Sequence, residues 1–287
     1  MIGMAESDNE AFFRREGEVL VPAEVARGPW DPNSMHGRLL AGMLAHTVEQ
    51  RFGQPDFHFA RMTIDLFRLP PLAPYGIEVS LRREGNRIRV AEGSISSGGV
   101  EVARGSVVML RQAEEPEGDV WSPPDWDVQG PDDVGRPEAW GGGGPRGVPM
   151  WETRPITGAA FPRREGSERA VEQKRAWIRE SRLLVTGEPL TPFVRAAVAA
   201  DYTNPFANSG SRGLNFVNAD ITLYLHRLPM TAWIGFEVSS HQSADGICVG
   251  ECTLYDERGA IGKSIVCGVA NRRAPGAWGG PRRPARS

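Results

Sequence analysis

"TIDLFRLP" (residues 63–70) and "TLYLHRLP" (residues 222–229) are two versions of one phrase, set 159 residues apart. The same offset, without a gap, pairs "GIEVS" (76–80) with "GFEVS" (235–239). It also pairs Phe57 with Phe216, Ala60 with Ala219, Ile88 with Ile247, Val90 with Val249, Glu92 with Glu251 and Val107 with Val266. The period is too long for a solenoid and there are only two copies, so the chain reads as two related domains.

Working outward from the phrase, each copy has the same order of elements. "RMTIDLFRL", "GIEVSLRREGNRIRVAEGSIS" and "EVARGSVVMLRQ" in the first half alternate polar and apolar residues. "ADITLYLHRL", "WIGFEVSSHQ", "GICVGECTLYD" and "AIGKSIVCGVANR" do so in the second. Period-two patterning with β-branched residues predicts antiparallel strands, joined by hairpins at "REGNR", "SSGG" and "DERG". A helix precedes each set. The first spans about 34–50, with Ser34 as N-cap; the second spans about 190–201, with Thr191 as N-cap and Pro192 at its first position. A strand candidate precedes each helix, at 16–23 and 175–185. In the first helix, Ala41, Gly42 and Ala45 are expected to let a curved sheet close over it.

The domain reading is therefore an N-terminal unit at 1–112, a linker at 113–149, a C-terminal unit at 150–273 and a disordered tail at 274–287. The linker is rich in Pro, Gly and acid, with Trp121, Trp126 and Trp140 expected to pin it to a domain surface.

Composition narrows the function. Of the 287 residues 40% are hydrophobic and 24% charged, the balance of an ordinary globular protein. A net charge of −3 argues against nucleic acid as a main partner. No apolar run reaches the length of a membrane span, and the N-terminus lacks the pattern of a signal peptide. The three cysteines form no disulfide framework: on a strand, Cys248 and Cys252 stand about 13 Å apart, too far to bridge. A cytoplasmic location is expected. There is no P-loop, GxGxxG junction or GxSxG elbow, and the five histidines do not cluster with cysteines at metal spacing. No metal or cofactor is expected.

"GPWDPNSMHGRLLAGMLAHTVEQ" (28–50), "ADITLYLHR" (219–227) and "RAWIRESRLLVTGEPLTPFVRAAVAADYTNP" (175–205) resemble stretches of acyl-CoA thioesterase II-like proteins. The last is similar to their actinobacterial branch. The resemblance runs over about 11–112 and 150–273. It implies an α+β double hotdog fold: two tandem units, each a central helix wrapped by a curved antiparallel sheet. It implies hydrolysis of acyl-CoA to a fatty acid and coenzyme A, the thioester being substrate.

Carried over position by position, the family's water-orienting aspartate falls on Asp220 and its hydroxyl residue on Ser239. Its glutamine falls on Cys267, which cannot offer an amide; Gln242, in the turn after Ser239, is the substitute candidate. A helix N-terminus supplies free N–H groups for a developing oxyanion. The expected binding residues are thus His36 and Gly37 at the mouth of the first helix, with Leu40 and Met43 beside the acyl chain. The plainer reading of His36 is a loop cap, and of Asp220 an ion-paired strand end. The lost glutamine leaves a non-catalytic acyl-CoA or acyl-carrier binding protein as the alternative. "DYTNPF" (201–206) is one residue out of step with a hydratase loop and reads as a helix-ending turn, which makes a hotdog enoyl-CoA hydratase the weaker alternative. A fused pair completes a site within one chain, yet exposed sheet edges and faces make a homo-oligomer the expectation.

Overall fold

The computed structural model describes residues 11–124, 126–135, 151–157, 172–211 and 213–271. The expected tail at 274–287 and Trp140 lie outside these. In chain order the elements are β1 (Phe13–Glu16), β2 (Val19–Pro22), α1 (Arg38–Phe52), β3 (Phe57–Leu66), β4 (Tyr75–Glu84), β5 (Ile88–Ser97) and β6 (Val100–Arg111). After them come β7 (Trp151–Thr157), β8 (Arg175–Glu180), α2 (Pro192–Ala200), α3 (Thr203–Ala207), β9 (Ser209–Gly210) and β10 (Gly213–Leu214). The last five are β11 (Phe216–Asn218), β12 (Asp220–Leu225), β13 (Ile234–Ala244), β14 (Ile247–Asp256) and β15 (Gly259–Ala270).

One 13-stranded sheet runs β1-β2-β4-β5-β6-β3-β12-β15-β14-β13-β8-β7, with β11 also paired to β15. The two repeats meet at the β3–β12 seam, where Thr63 is the cross-strand partner of Thr222 and their hydroxyls lie 3.2 Å apart. These residues are one repeat offset apart, 159 positions. The relation found in the sequence is thus also the register that joins the halves.

α1 and α2 lie together on one face of the sheet. Gly37 approaches Asp201, Gly42 approaches Val198, and Thr191 donates its hydroxyl proton to Glu49, so the helices run antiparallel. This corrects the expected reason for the small face of α1. A Cβ at Gly42 would meet Val198 Cγ2 at 2.7 Å, so the neighbour that requires glycine is the second helix, not the sheet. Against the sheet the arrangement is reversed: Leu44 presses into space that Cβ atoms at Gly93 and Gly105 would fill, each at 2.6 Å. Leu40, Met43 and Leu44 are all fully buried in this core.

Helix ends divide similarly. Thr191 caps α2 as expected, accepting from Val194 N, with Pro192 in the first turn. Ser34 does not cap α1, which starts at Arg38 after Gly37. Its hydroxyl instead donates to Asp31 O and closes the preceding loop. "DYTNPF" is not a simple turn either: Asn204 and Pro205 sit inside α3, and Asn208 N closes that helix on Asn204 O. In the linker, Trp126 stacks on Tyr255 and donates to Glu237, and Val128 and Val134 join a small second core around Trp177 and Trp233. Trp121 is exposed.

Candidate active site

The loop before α1 folds back on itself through Gly28 N to Ser34 O, His36 N to Ala26 O and Met35 N to Pro70 O. A Cβ at Gly28 would meet Met35 O at 2.7 Å, so the loop closes this tightly only with glycine. It delivers His36 and Gly37 to the helix mouth. There, Leu39 N donates to His36 O, Leu40 N to Gly37 O, and Arg38 N reaches His36 Nδ1 at 3.4 Å. Among the described residues Gly37 N–H is the amide of this mouth without a hydrogen-bond partner. A Cβ on Gly37 would have only Asp201 Oδ2 within reach, at 4.0 Å, so the side-chain face of Gly37 is open.

The His36 ring is largely buried, and burial, aided by Arg38, holds its pKa well below the ordinary value. The Arg38 N–H is shared between Asp201 and His36 Nδ1, and a neutral ring accepting at Nδ1 carries its proton on Nε2. Asp201 Oδ2 lies 3.6 Å from Nδ1, beyond hydrogen-bond length. The Asp201 carboxylate instead takes Asn218 Nδ2 on Oδ1 at 3.0 Å and the Arg38 backbone amide. Burial pushes its pKa up against both. Arg38 is itself buried, paired with Glu180 at 3.1 Å and stacked over Trp151 at 4.1 Å.

The mouth of α2 is built differently. Thr191 covers Val194 N, and Pro192 has no N–H to offer.

Asp220 stands at a bulge in the sheet. Between β11 and β12 the chain spends four residues, from Asn218 opposite Gly268 to Thr222 opposite Ile265, while β15 spends three. The Asp220 carboxylate fills the resulting gap by accepting Cys267 N at 2.6 Å. Alternation places Asp220 in the row of Thr222 and Tyr224, away from buried Ile221 and Leu223. The same outer stretch carries Gln242, whose register runs through Val249 to Cys267. It also carries Ser239, which donates to Glu251, itself paired with Lys263. The expected residues thus form two sets, His36 with Gly37 at the helix mouth and Asp220, Ser239, Gln242 and Cys267 along the sheet. Asn218 joins them, donating to both Asp201 Oδ1 and Asp220 O, the latter at 3.3 Å. Leu40 and Met43 pack in the core below the mouth.

Models of two consecutive domains match this chain: an acyl-CoA thioesterase N-terminal domain over residues 26–110 and an acyl-CoA thioesterase C-terminal domain over residues 124–265. The chain belongs to the acyl-CoA thioesterase family. Solved structures similar to this family member share its fold at low identity. A tesB protein of Mycobacterium avium subspecies paratuberculosis superposes with a TM-score of 0.63 at 15% identity, covering 91% of this chain and 96% of that one. An acyl-CoA thioesterase II from Mycobacterium marinum gives 0.58 at 15%, covering 94% and 98%. A hot dog fold protein from Alicyclobacillus acidocaldarius gives 0.66 at 15%, covering 91% and 96%. No curated protein matches. The fold is a hotdog fold. No helix among the described residues is long and apolar enough to cross a membrane.

In this acyl-CoA thioesterase family member, Asp201, the carboxylate beside Gly37, reads in the sequence only as part of a helix-ending turn. A signal was present: one acid follows "RAAVAA", and Asn204, Asn208 and Asn218 come soon after. Buried amides in such number require partners.

Proposed function

We propose that this chain is a double hotdog enzyme that hydrolyses acyl-CoA thioesters, with the mouth of α1 receiving the thioester carbonyl. The observation that carries the reading is the Gly37 N–H, without a hydrogen-bond partner among the described residues, at a mouth that opens beside Asp201 and neutral His36. A helix-start amide with partial positive charge is the donor that a developing oxyanion needs. His36 Nε2–H is a second donor to the same oxygen. A carboxylate-oriented water attacks the carbonyl carbon, the C–S bond breaks, and coenzyme A leaves as thiol after taking a proton.

Asp220, half-buried, is the proposed water-orienting group, linked through Asn218 to Asp201, whose buried carboxylate sets the charge at the mouth. Ser239 and Gln242, on β13 beyond β15 and β14, are proposed to border the same face of the sheet. Cys267 occupies the position of the family's glutamine, and burial together with Asp220 pushes its thiol up to about 11, which argues against a nucleophilic role. Leu40 and Met43 border the acyl chain. The unit boundaries proposed for the pair are 1–112 and 150–273. Exposed Ile247, Val249 and Val269 favour assembly with further copies, and the free cysteines favour a reducing cytoplasm. Thiol release from acyl-CoAs of graded length tests the reading. Turnover lost in Asp220→Asn with acyl-CoA binding retained supports it, and binding without turnover by the native chain favours a non-catalytic carrier.

A further inference from the structure

Asp201 heads a chain of hydrogen bonds. Asn218 Nδ2 donates to Asp201 Oδ1 at 3.0 Å, and Asn204 Nδ2 donates to Asn218 Oδ1 at 3.1 Å. Asn208 Nδ2 then donates to Asn204 Oδ1 at 3.0 Å, and His241 Nδ1 lies 2.8 Å from Asn208 Oδ1. An ionised carboxylate only accepts, so Asn218 must turn its NH2 to Asp201 and its oxygen to Asn204. That choice fixes Asn204, which fixes Asn208, whose oxygen then requires a proton on His241 Nδ1. Every bond points toward the carboxylate.

The chain crosses four parts of the fold: the end of α2, β11, α3 with its C-cap, and β13. Asn204 and Asn208 are 2% and 3% exposed, so each amide would be costly if unbonded. Space has been kept for them, since a Cβ at Gly250 on β14 would meet Asn208 Oδ1 at 2.5 Å. Apolar residues at 204 and 208 would close this layer without the hydrogen-bond debt. His241 at the far end is exposed and stands beside the Phe216 ring.

We infer that Asn218, Asn204, Asn208 and His241 form a one-way positioning relay that orients the Asp201 carboxylate under the α1 mouth and favours its charged form. The inference rests on the reading of that mouth as the thioester site. Aligned hydrogen bonds polarise one another, so the surface histidine and the buried acid are linked though several bonds apart. The other titratable groups facing Asp201 are neutral His36 and charged Arg38 from the α1 mouth, with Glu180 and Arg182 behind Arg38. Lys174 faces His241, while its ammonium donates to Phe206 O and Ser209 O.

The test is a titration of the Asp201 carboxyl by NMR in the intact chain, run beside the pH profile of kcat/KM for CoA release. The variants are Asn208→Ala, His241→Ala and His241→Gln, the two histidine changes being at a surface position that does not threaten folding. Removing a donor to the relay is expected to raise the Asp201 pKa by about half a unit and to move the acid limb of kcat/KM with it. His241→Gln, whose amide can donate to Asn208, should restore most of the shift. Unchanged Asp201 titration in the alanine variants, with only a lower Tm, overturns the relay. If the native chain releases no CoA, the thioester reading fails, while the titration still decides the relay.

Discussion

Gly37 and Asp201 face each other across the start of α1, with 4.0 Å between the site of a Gly37 Cβ and Asp201 Oδ2 and nothing nearer. Gly37 already has helical backbone angles, φ −56° and ψ −35°. Gly37→Ala should therefore fold normally, with Tm changed little. Its methyl group would enter the open space beside Asp201 at the helix mouth, so kcat/KM should fall on the order of 10-fold. Gly42→Ala should do the reverse, destabilising by about 1–3 kcal/mol through its 2.7 Å approach to Val198 Cγ2. Paired melting and steady-state kinetics separate the two.

Asp201→Asn keeps the shape of the side chain and removes the charge that Asn218 and the Arg38 amide serve. CoA release should drop by about 10²-fold, the scale of a misplaced acid–base group. Stability should hold, because the buried carboxylate is itself costly.

His36 gives a pH-dependent stability of defined sign. Its folded pKa lies well below the unfolded value, through burial first and Arg38 second. Its contribution is present above the unfolded pKa, near 6.5, and is lost as pH falls toward the folded pKa. Denaturant unfolding from pH 7.5 to 5 should show native stability decreasing faster than that of His36→Gln. Parallel curves would show that His36 titrates normally.

Cys267, with its thiol pushed up to about 11, should react slowly with iodoacetamide at neutral pH, and the rate should rise about 10-fold per pH unit toward that value. Cys267→Gln places an amide beside Asp220 and should raise turnover. The measurement is kcat for CoA release.

Much of the fold could be read because its signals are local. The alternating strands, the turns and the Thr191–Pro192 cap depend on a few neighbouring residues, and the 159-residue offset reappears as the Thr63–Thr222 contact. The misses depend on distant parts of the chain. Ser34 looks like a cap until its loop returns to Asp31. Gly42 is plainly small, yet nothing nearby says that Val198 is its neighbour. The bulge that turns Asp220 toward Cys267 N exists only relative to β15. Asp201 reads locally as the end of a helix, and it meets Gly37 only when two helices from different halves lie antiparallel.

The most direct measurement is CoA release from acyl-CoAs of graded chain length by the native chain and by Asp220→Asn, with acyl-CoA binding followed in parallel. The expected result is turnover by the native chain at some chain length, lost in the variant while binding remains. A folded native chain that binds acyl-CoA and releases no CoA at any length would contradict a hydrolytic site at the mouth of α1.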